Sequence, residues 1–154
     1  MYAILLPLHS FVRWLVLASL VFTICKAYQG WLLNKPFTYF DNFIRHSTAT
    51  ISHIQLLIGL LLYYVSPIVS YFFQNFNEAV HNREVRFFGM EHSLMMFIAV
   101  SVISAGSSIA KMKVKDAEKF KTMAIWYTIA LIIIFFSIPW LFSPLVSRPY
   151  LRLF

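Results

Sequence analysis

Residues 123–142 read MAIWYTIALIIIFFSIPWLF, a run without a single charged side chain. An α-helix needs about 20 apolar residues to cross a hydrocarbon layer of roughly 30 Å, and this run supplies them. Lipid offers no hydrogen-bond partners, so a single spanning segment must satisfy its own backbone groups as a helix. The run therefore predicts a membrane-spanning α-helix.

Three further apolar runs precede it, at residues 3–25, 48–65 and 90–110. Hydrophobic residues make up 60% of the 154-residue chain and charged residues 12%, more apolar surface than a soluble domain of this size can bury. We therefore predict an all-α integral membrane protein whose single domain, residues 1–154, is an up-and-down four-helix bundle. The first run is expected to be a retained helix, because no basic residues precede it and no cleavage pattern follows.

The net charge of +7 is explained by cations that flank the predicted spans. Eight are assigned to one face: Lys26, Lys35, Arg45, Lys111, Lys113, Lys115, Lys119 and Lys121. Four are assigned to the other: Arg83, Arg86, Arg148 and Arg152. Short cationic loops stay in the cytoplasm, so the first face is predicted to be cytoplasmic and both termini to lie outside. The basic balance then requires no nucleic-acid partner.

Prolines predict where the spans end. Asn34-Lys35-Pro36 breaks the first connection, Pro67 ends the second span, and Pro139 and Pro144 mark the exit of the fourth. The segment 74–87 alternates aromatic and polar residues, which predicts a short helix in the outer interface beside aromatic anchors. These anchors are Tyr71, Trp140 and Tyr150.

Polar side chains inside the spans are expensive and tend to mark ligand sites. The candidates are His9, Arg13, His53, Gln55, Glu91 and His92. At a rise of 1.5 Å per residue, His92 lies about 5 Å and His9 about 9 Å below the outer face, whereas His53 lies about 18 Å down. The first and third spans face each other diagonally, so His9 and His92 are expected to point at one space.

Two imidazoles across such a space suit the iron of a haem b, whose ring edge apolar side chains would surround. His9 and His92 are thus the predicted axial ligands. Arg13 lies one turn from His9 and needs an anionic partner, either a haem propionate or Glu91. For His53 three roles remain: an interhelical hydrogen bond, an alternative ligand, or part of a quinone pocket.

Other readings of the same residues stay open. Met90, His92, Met95 and Met96 with His9 could form a soft copper site. The chain could also be a ligand-free accessory subunit of a larger membrane complex. Cys25 is the only cysteine, so neither an internal disulfide nor a thiolate cluster can form.

Several short motifs are specific: Leu8-His9-Ser10 with Arg13-Trp14, the run from His53 to Gly59, Glu91-His92 with Met95-Met96, Lys119-Phe120-Lys121 and Ile138-Pro139-Trp140. Through them the whole chain resembles the small four-helix membrane proteins of Bacteroidota that are commonly labelled cytochrome b-like. The resemblance implies a multi-pass protein of the bacterial inner membrane, with His9, His53 and His92 as its intramembrane histidines. His46 and His81 are not carried over.

The expected function is that of a haem b electron carrier, or of a haem-bearing subunit of a respiratory-type complex, rather than a stand-alone enzyme. Its expected partners are the lipid bilayer, a quinol pool and a larger membrane complex.

The topology is tested by placing single cysteines in a Cys25→Ser background. A cysteine at Lys115 should be protected from an impermeant thiol reagent added outside, because the cationic connection is expected in the cytoplasm. A cysteine at His81, in the opposite connection, should react. If the cysteine at position 115 were labelled from outside, the predicted orientation in the membrane would be wrong.

Overall fold

The computed structural model describes residues 1–140, which contain helices and no strand. In chain order the helices are α1 (Tyr2–Leu32), α2 (Tyr39–Val65), α3 (Pro67–Gln74), α4 (Phe76–Ala79), α5 (Arg83–Arg86), a π-helical turn (Phe87–Glu91), α6 (His92–Met112) and α7 (Asp116–Ser137). Four stretches are long and apolar enough to cross a membrane: α1, α2, the run from α5 through α6, and α7. The prediction of an all-α membrane bundle is confirmed.

The four long helices form a closed square. The α1 helix packs against α2 and α7, and α6 packs against the same two helices. The first and third spans therefore face each other across the diagonal, as predicted. We call the end that carries residues 33–38 and 113–115 the lysine end, and the opposite end, capped by α3 to α5, the histidine end.

The outer surface of the bundle is apolar, while the core-facing side of α2 is polar. Leucines such as Leu57 and Leu60 are exposed on α2, where lipid would cover them. The opposite side of α2 carries a polar stripe whose members alternate at four- and three-residue spacing: Asp41, Arg45, Thr48, Ser52, Gln55 and Gly59. The first four are buried and the last two are partly buried. We call this set the α2 polar stripe.

The α2 polar stripe joins α2 to every other long helix. Thr48 shares a hydrogen bond of 2.8 Å with Thr23 of α1. The Arg45 guanidinium donates to the carbonyl of Ser107 in α6 at 2.9 Å and also to its hydroxyl. The Tyr127 hydroxyl of α7 donates to the carbonyl of Arg45 at 2.9 Å. Polar contacts thus fix the position of α2 in the bundle.

The sequence-based placement of Arg45 in a loop was wrong. Helix α2 begins at Tyr39 rather than near residue 48, because Thr38 and Asp41 form a capping box. The backbone amide of Thr38 donates to the Asp41 carboxylate at 2.9 Å, and the Asp41 amide donates back to the Thr38 hydroxyl at 3.3 Å. Arg45 therefore lies inside the helix, only 5% exposed.

Other predicted boundaries also move. Lys26, Lys111, Lys119 and Lys121 lie within helices, although still near the lysine end. Pro67 begins α3, and the segment 74–87 is divided among short helices instead of forming one. Helix α7 ends at Ser137, because Pro139 cannot continue it, whereas the predicted span ran to Phe142. Positions Leu141, Phe142, Pro144, Arg148, Tyr150 and Arg152 lie outside the described residues.

A double-mutant cycle tests the contact between α2 and α6. Arg45→Met and Ser107→Ala should each lower the free energy of unfolding in detergent, with a coupling of about 1 kcal/mol, because the two side chains share a buried hydrogen bond. Lys111→Met removes an exposed cation near the same end and should leave stability within roughly 0.5 kcal/mol of wild type. Strict additivity of the two substitutions would contradict this contact.

Candidate functional site

A cavity of 190 Å³ lies at the histidine end of the bundle. It exceeds the roughly 150 Å³ cavity that is known to admit benzene. All four long helices line it, together with the start of α3 and the π-helical turn. Most of its wall is apolar, and the polar side chains in it include His9, Arg13, Gln55, Tyr63 and His92.

His9 and His92 face each other in this cavity. Their ring centroids are 6.3 Å apart and their ring planes make an angle of 78°. The sequence-based prediction that helical rise brings these two histidines to one height is confirmed. His53, predicted to lie deeper, does not line the cavity.

The orientation of the His92 ring is fixed by the end of α7. Its Nδ1 lies 2.8 Å from the carbonyl oxygen of Ser137, which can only accept a hydrogen bond. The proton is therefore on Nδ1, and Nε2 carries the lone pair. This arrangement, in which one ring nitrogen donates to a carbonyl, is typical of histidines whose other nitrogen binds a metal.

The π-helical turn leads directly into His92. The Tyr63 hydroxyl at the end of α2 donates to the carbonyl of Gly89 at 2.5 Å. A β-carbon at Gly89 would overlap the ring of Phe72 in α3, so only glycine fits. Single π turns occur often at functional sites, because they change the direction in which the following side chains point.

The His9 ring is positioned by α2. Gln55 donates from Nε2 to the His9 carbonyl at 2.9 Å, and the same nitrogen lies 3.4 Å from His9 Nε2. A β-carbon at Gly59 would lie 3.2 Å from His9 Cε1, so the ring rests against the backbone of α2. Glycine at this position leaves room for the imidazole.

Two buried polar atoms of this site, His9 Nδ1 and Gln55 Oε1, have no hydrogen-bond partner among residues 1–140. A buried polar atom left unsatisfied costs about 1–3 kcal/mol. Both atoms belong to residues that line the same cavity. Their cost indicates that a polar ligand or water completes the site.

The spacing of the two histidine rings would admit a metal between them. A metal–imidazole nitrogen bond is about 2.0 Å long, so two imidazoles on opposite sides of one metal have ring centres about 6 Å apart. The observed 6.3 Å agrees with this spacing. The angle of 78° is compatible as well, because axial rings can rotate about the common nitrogen–metal–nitrogen axis. Among residues 1–140 no third histidine, cysteine or carboxylate joins the pair.

Arg13 lines the cavity, but Glu91 is not its partner. Glu91 accepts a hydrogen bond of 2.7 Å from Arg86, which also donates to the carbonyl of Val80. The predicted ion pair between Arg13 and Glu91 is therefore replaced by a pair within the histidine-end cap. The Arg13 guanidinium lies 5.6 Å from the ring centroid of Trp14.

His53 is separate from the histidine pair. Its Nδ1 lies 2.7 Å from the carbonyl of Ala49 and its Nε2 lies 3.0 Å from the Ser104 hydroxyl of α6. Both ring nitrogens thus have partners in the bundle, which matches the interhelical role left open by the sequence. Its inclusion among the cofactor-binding residues is not supported by this position.

The methionines do not gather around the pair. Of Met90, Met95 and Met96, only Met96 lines the cavity, and Met90 is 44% exposed. The soft copper site proposed from these residues therefore lacks most of its sulfur ligands here.

The sequence reasoning missed the roles of Tyr63, Gly59 and Ser137, and it assigned Gln55 to the surroundings of His53. A usable signal was the spacing of the α2 polar stripe, which places Gln55 and Gly59 on the same side as Thr48 and Ser52. The carbonyl of Ser137 carries no sequence signal.

Comparisons with protein-family models, curated proteins and solved structures found no match for this chain. The resemblance to cytochrome b-like proteins stays a prediction.

Replacing Tyr63 by phenylalanine tests how the π-helical turn is held. We expect amide hydrogen exchange in residues 87–91 to speed up by roughly 3- to 10-fold, because one hydrogen bond worth about 1 kcal/mol is lost. Tyr64→Phe is the matched control, since Tyr64 is 89% exposed. Equal exchange rates in the two variants would show that the Tyr63 hydroxyl does not stabilise the turn.

Proposed function

We propose that this protein binds haem b within the membrane, with His9 and His92 as the two axial ligands. Its role would be to carry electrons, either alone or as the haem-bearing subunit of a respiratory-type complex in the bacterial inner membrane. The observation that carries the proposal is the pair of imidazoles whose centroids lie 6.3 Å apart across the diagonal of the bundle.

Each histidine has a positioning partner that suits this role. The carbonyl of Ser137 accepts from Nδ1 of His92, which leaves Nε2 for the iron. Gln55 and Gly59 hold His9 from the side of α2. Arg13 lines the same cavity, and its planar guanidinium suits a propionate, so we assign it that partner.

The rest of the cavity suits an apolar macrocycle. Leu56, Met96 and Val100 are among the side chains that would contact the porphyrin faces and exclude water. A low-dielectric surrounding of this kind tunes the potential of a bound iron, and haem supplies one-electron transfer when it is bound. The nearness of the pair to the histidine end favours exchange with a partner on that side of the membrane.

The size of the cavity sets a condition on the proposal. A porphyrin needs more room around the axis that joins the two rings than a cavity of 190 Å³ provides, so haem would require the apolar side chains that line the cavity to move outward while the 6.3 Å spacing of the rings is kept.

Histidine-to-alanine variants of the purified protein test the assignment. Wild type should show a Soret band with sharp α and β bands on reduction. His9→Ala and His92→Ala should each abolish the low-spin spectrum or the haem itself, because each removes an axial ligand. His53→Ala is the matched control and should retain the low-spin spectrum with at most a shifted potential.

Other outcomes reject the proposal. Loss of haem in His53→Ala with retention in His9→Ala would reassign the ligands. A colourless wild-type protein that contains copper would favour the methionine and histidine site. A colourless, metal-free protein expressed with ample haem would favour an accessory subunit without a ligand.

A further inference from the structure

A second cavity, of 170 Å³, lies at the lysine end between the last turns of α1, residues 33–38 and the first turn of α2. Its polar lining comes from Lys26, Gln29, Lys35, Thr38 and Asp41. None of these residues lines the cavity at the histidine end, so ligand binding at the two cavities can be tested separately.

The cavity is built by an ordered connection. Asn34 has a φ of 48°, which turns the chain sharply after α1. The Lys35 amide donates to the carbonyl of Gly30 at 3.0 Å, and the capping box of Thr38 and Asp41 fixes the start of α2. The backbone of Lys35 is thereby held at the wall of the cavity between two fixed helix ends.

The charges around the cavity favour an anion. Lys26 lies 3.9 Å from one carboxylate oxygen of Asp41, while Thr38 donates to the other. Asp41 is therefore already paired. Eight cations and three carboxylates lie toward the lysine end, the carboxylates being Asp41, Asp116 and Glu118. Toward the histidine end, within residues 1–140, Arg13, Arg83 and Arg86 are balanced by Glu78, Glu84 and Glu91.

The lysine-end cavity lies where the long apolar helices α1 and α2 meet their connection, which is where a membrane span is expected to reach the lipid headgroups. Aromatic residues surround the same turns, as they do at membrane interfaces. Lys26 lies 5.9 Å from the ring centroid of Phe40, and Lys121 lies 5.5 Å from that of Trp31. Leu32, the last residue of α1, and Leu33, which follows it, are 69% and 64% exposed. An acyl chain has apolar surface to contact next to the polar lining.

From this combination we propose that the lysine-end cavity binds the phosphate of an anionic phospholipid. Lys35 and Gln29 would donate to the phosphate, and Lys26 would be shared between the phosphate and Asp41. The exposed leucines would contact the acyl chains. Basic pockets between transmembrane helices recognise anionic headgroups in this way.

Lipid retention by the purified full-length protein in neutral detergent tests the proposal. Native mass spectrometry would count bound phosphatidylglycerol and phosphatidylcholine after equal titration, and thermal unfolding would follow the same samples. Phosphatidylglycerol should bind at least 5-fold more tightly and raise the unfolding temperature. Equal binding of the two lipids would overturn the proposal.

Single substitutions distinguish a specific phosphate site from general electrostatic attraction by the cations of the lysine end. Lys35→Gln should weaken phosphatidylglycerol binding about 5-fold, because it removes a cation of the cavity lining that would contact the phosphate directly. Gln29→Leu should weaken it without changing the charge. The matched control is Lys113→Gln, which removes one exposed cation from the other connection at this end and should change the affinity by less than 2-fold. Equal effects of Lys35→Gln and Lys113→Gln would show that the lipid is attracted by the general positive charge of this end and not by a specific site.

The source of the phosphate is settled by competition. Glycerophosphoglycerol, which carries the same phosphodiester without acyl chains, should fail to displace phosphatidylglycerol at millimolar concentration. Full displacement would overturn the lipid assignment in favour of a site for soluble phosphate esters.

Discussion

Lipid provides almost no hydrophobic force that would bring two membrane helices together, since a leucine is as well solvated by acyl chains as by another helix. Association must therefore come from polar contacts and close packing. In this bundle the α2 polar stripe supplies such contacts to α1, α6 and α7 through Thr48, Arg45 and the Arg45 carbonyl. These contacts fix the rotation of α2 about its own axis. The closed square of helices depends on that rotation, and so does the distance between the imidazole rings of His9 and His92.

The site is a continuation of the same stripe. One turn beyond Ser52, the stripe reaches Gln55 and then Gly59, and these are the residues that contact His9. Toward Arg45 the polar atoms of the stripe have partners, whereas at Gln55 one carboxamide oxygen has none within residues 1–140. The α2 polar stripe thus serves both helix packing and the candidate site. Its polar atoms are hydrogen-bonded where α2 packs against other helices, and the unsatisfied oxygen of Gln55 lies where the stripe reaches the candidate site.

Sequence reasoning recovered what depends on length and rise. It placed four spans, paired α1 with α6 across the diagonal, and brought His9 to the height of His92, because a helix advances by a constant distance per residue. The predictions were wrong where they depended on the exact start of a helix or on the direction in which a side chain points. Arg45 was assigned to a loop because hydropathy does not register a capping box. Glu91 was suggested as a partner of Arg13 on the assumption of a regular helix, but Glu91 lies in a π-helical turn, which departs from the period of 3.6 residues. Gln55 was read beside His53, although helical spacing puts the two on different sides of α2.

The two connections at the lysine end are short, 33–38 and 113–115, whereas a long capped segment separates α2 from α6. The chain is therefore two tight helical hairpins, and each contributes one histidine of the pair. Neither hairpin alone can complete the site, so it comes into existence only when the halves dock. A haem bound as proposed would bridge the two hairpins, and its occupancy would then report that they have docked.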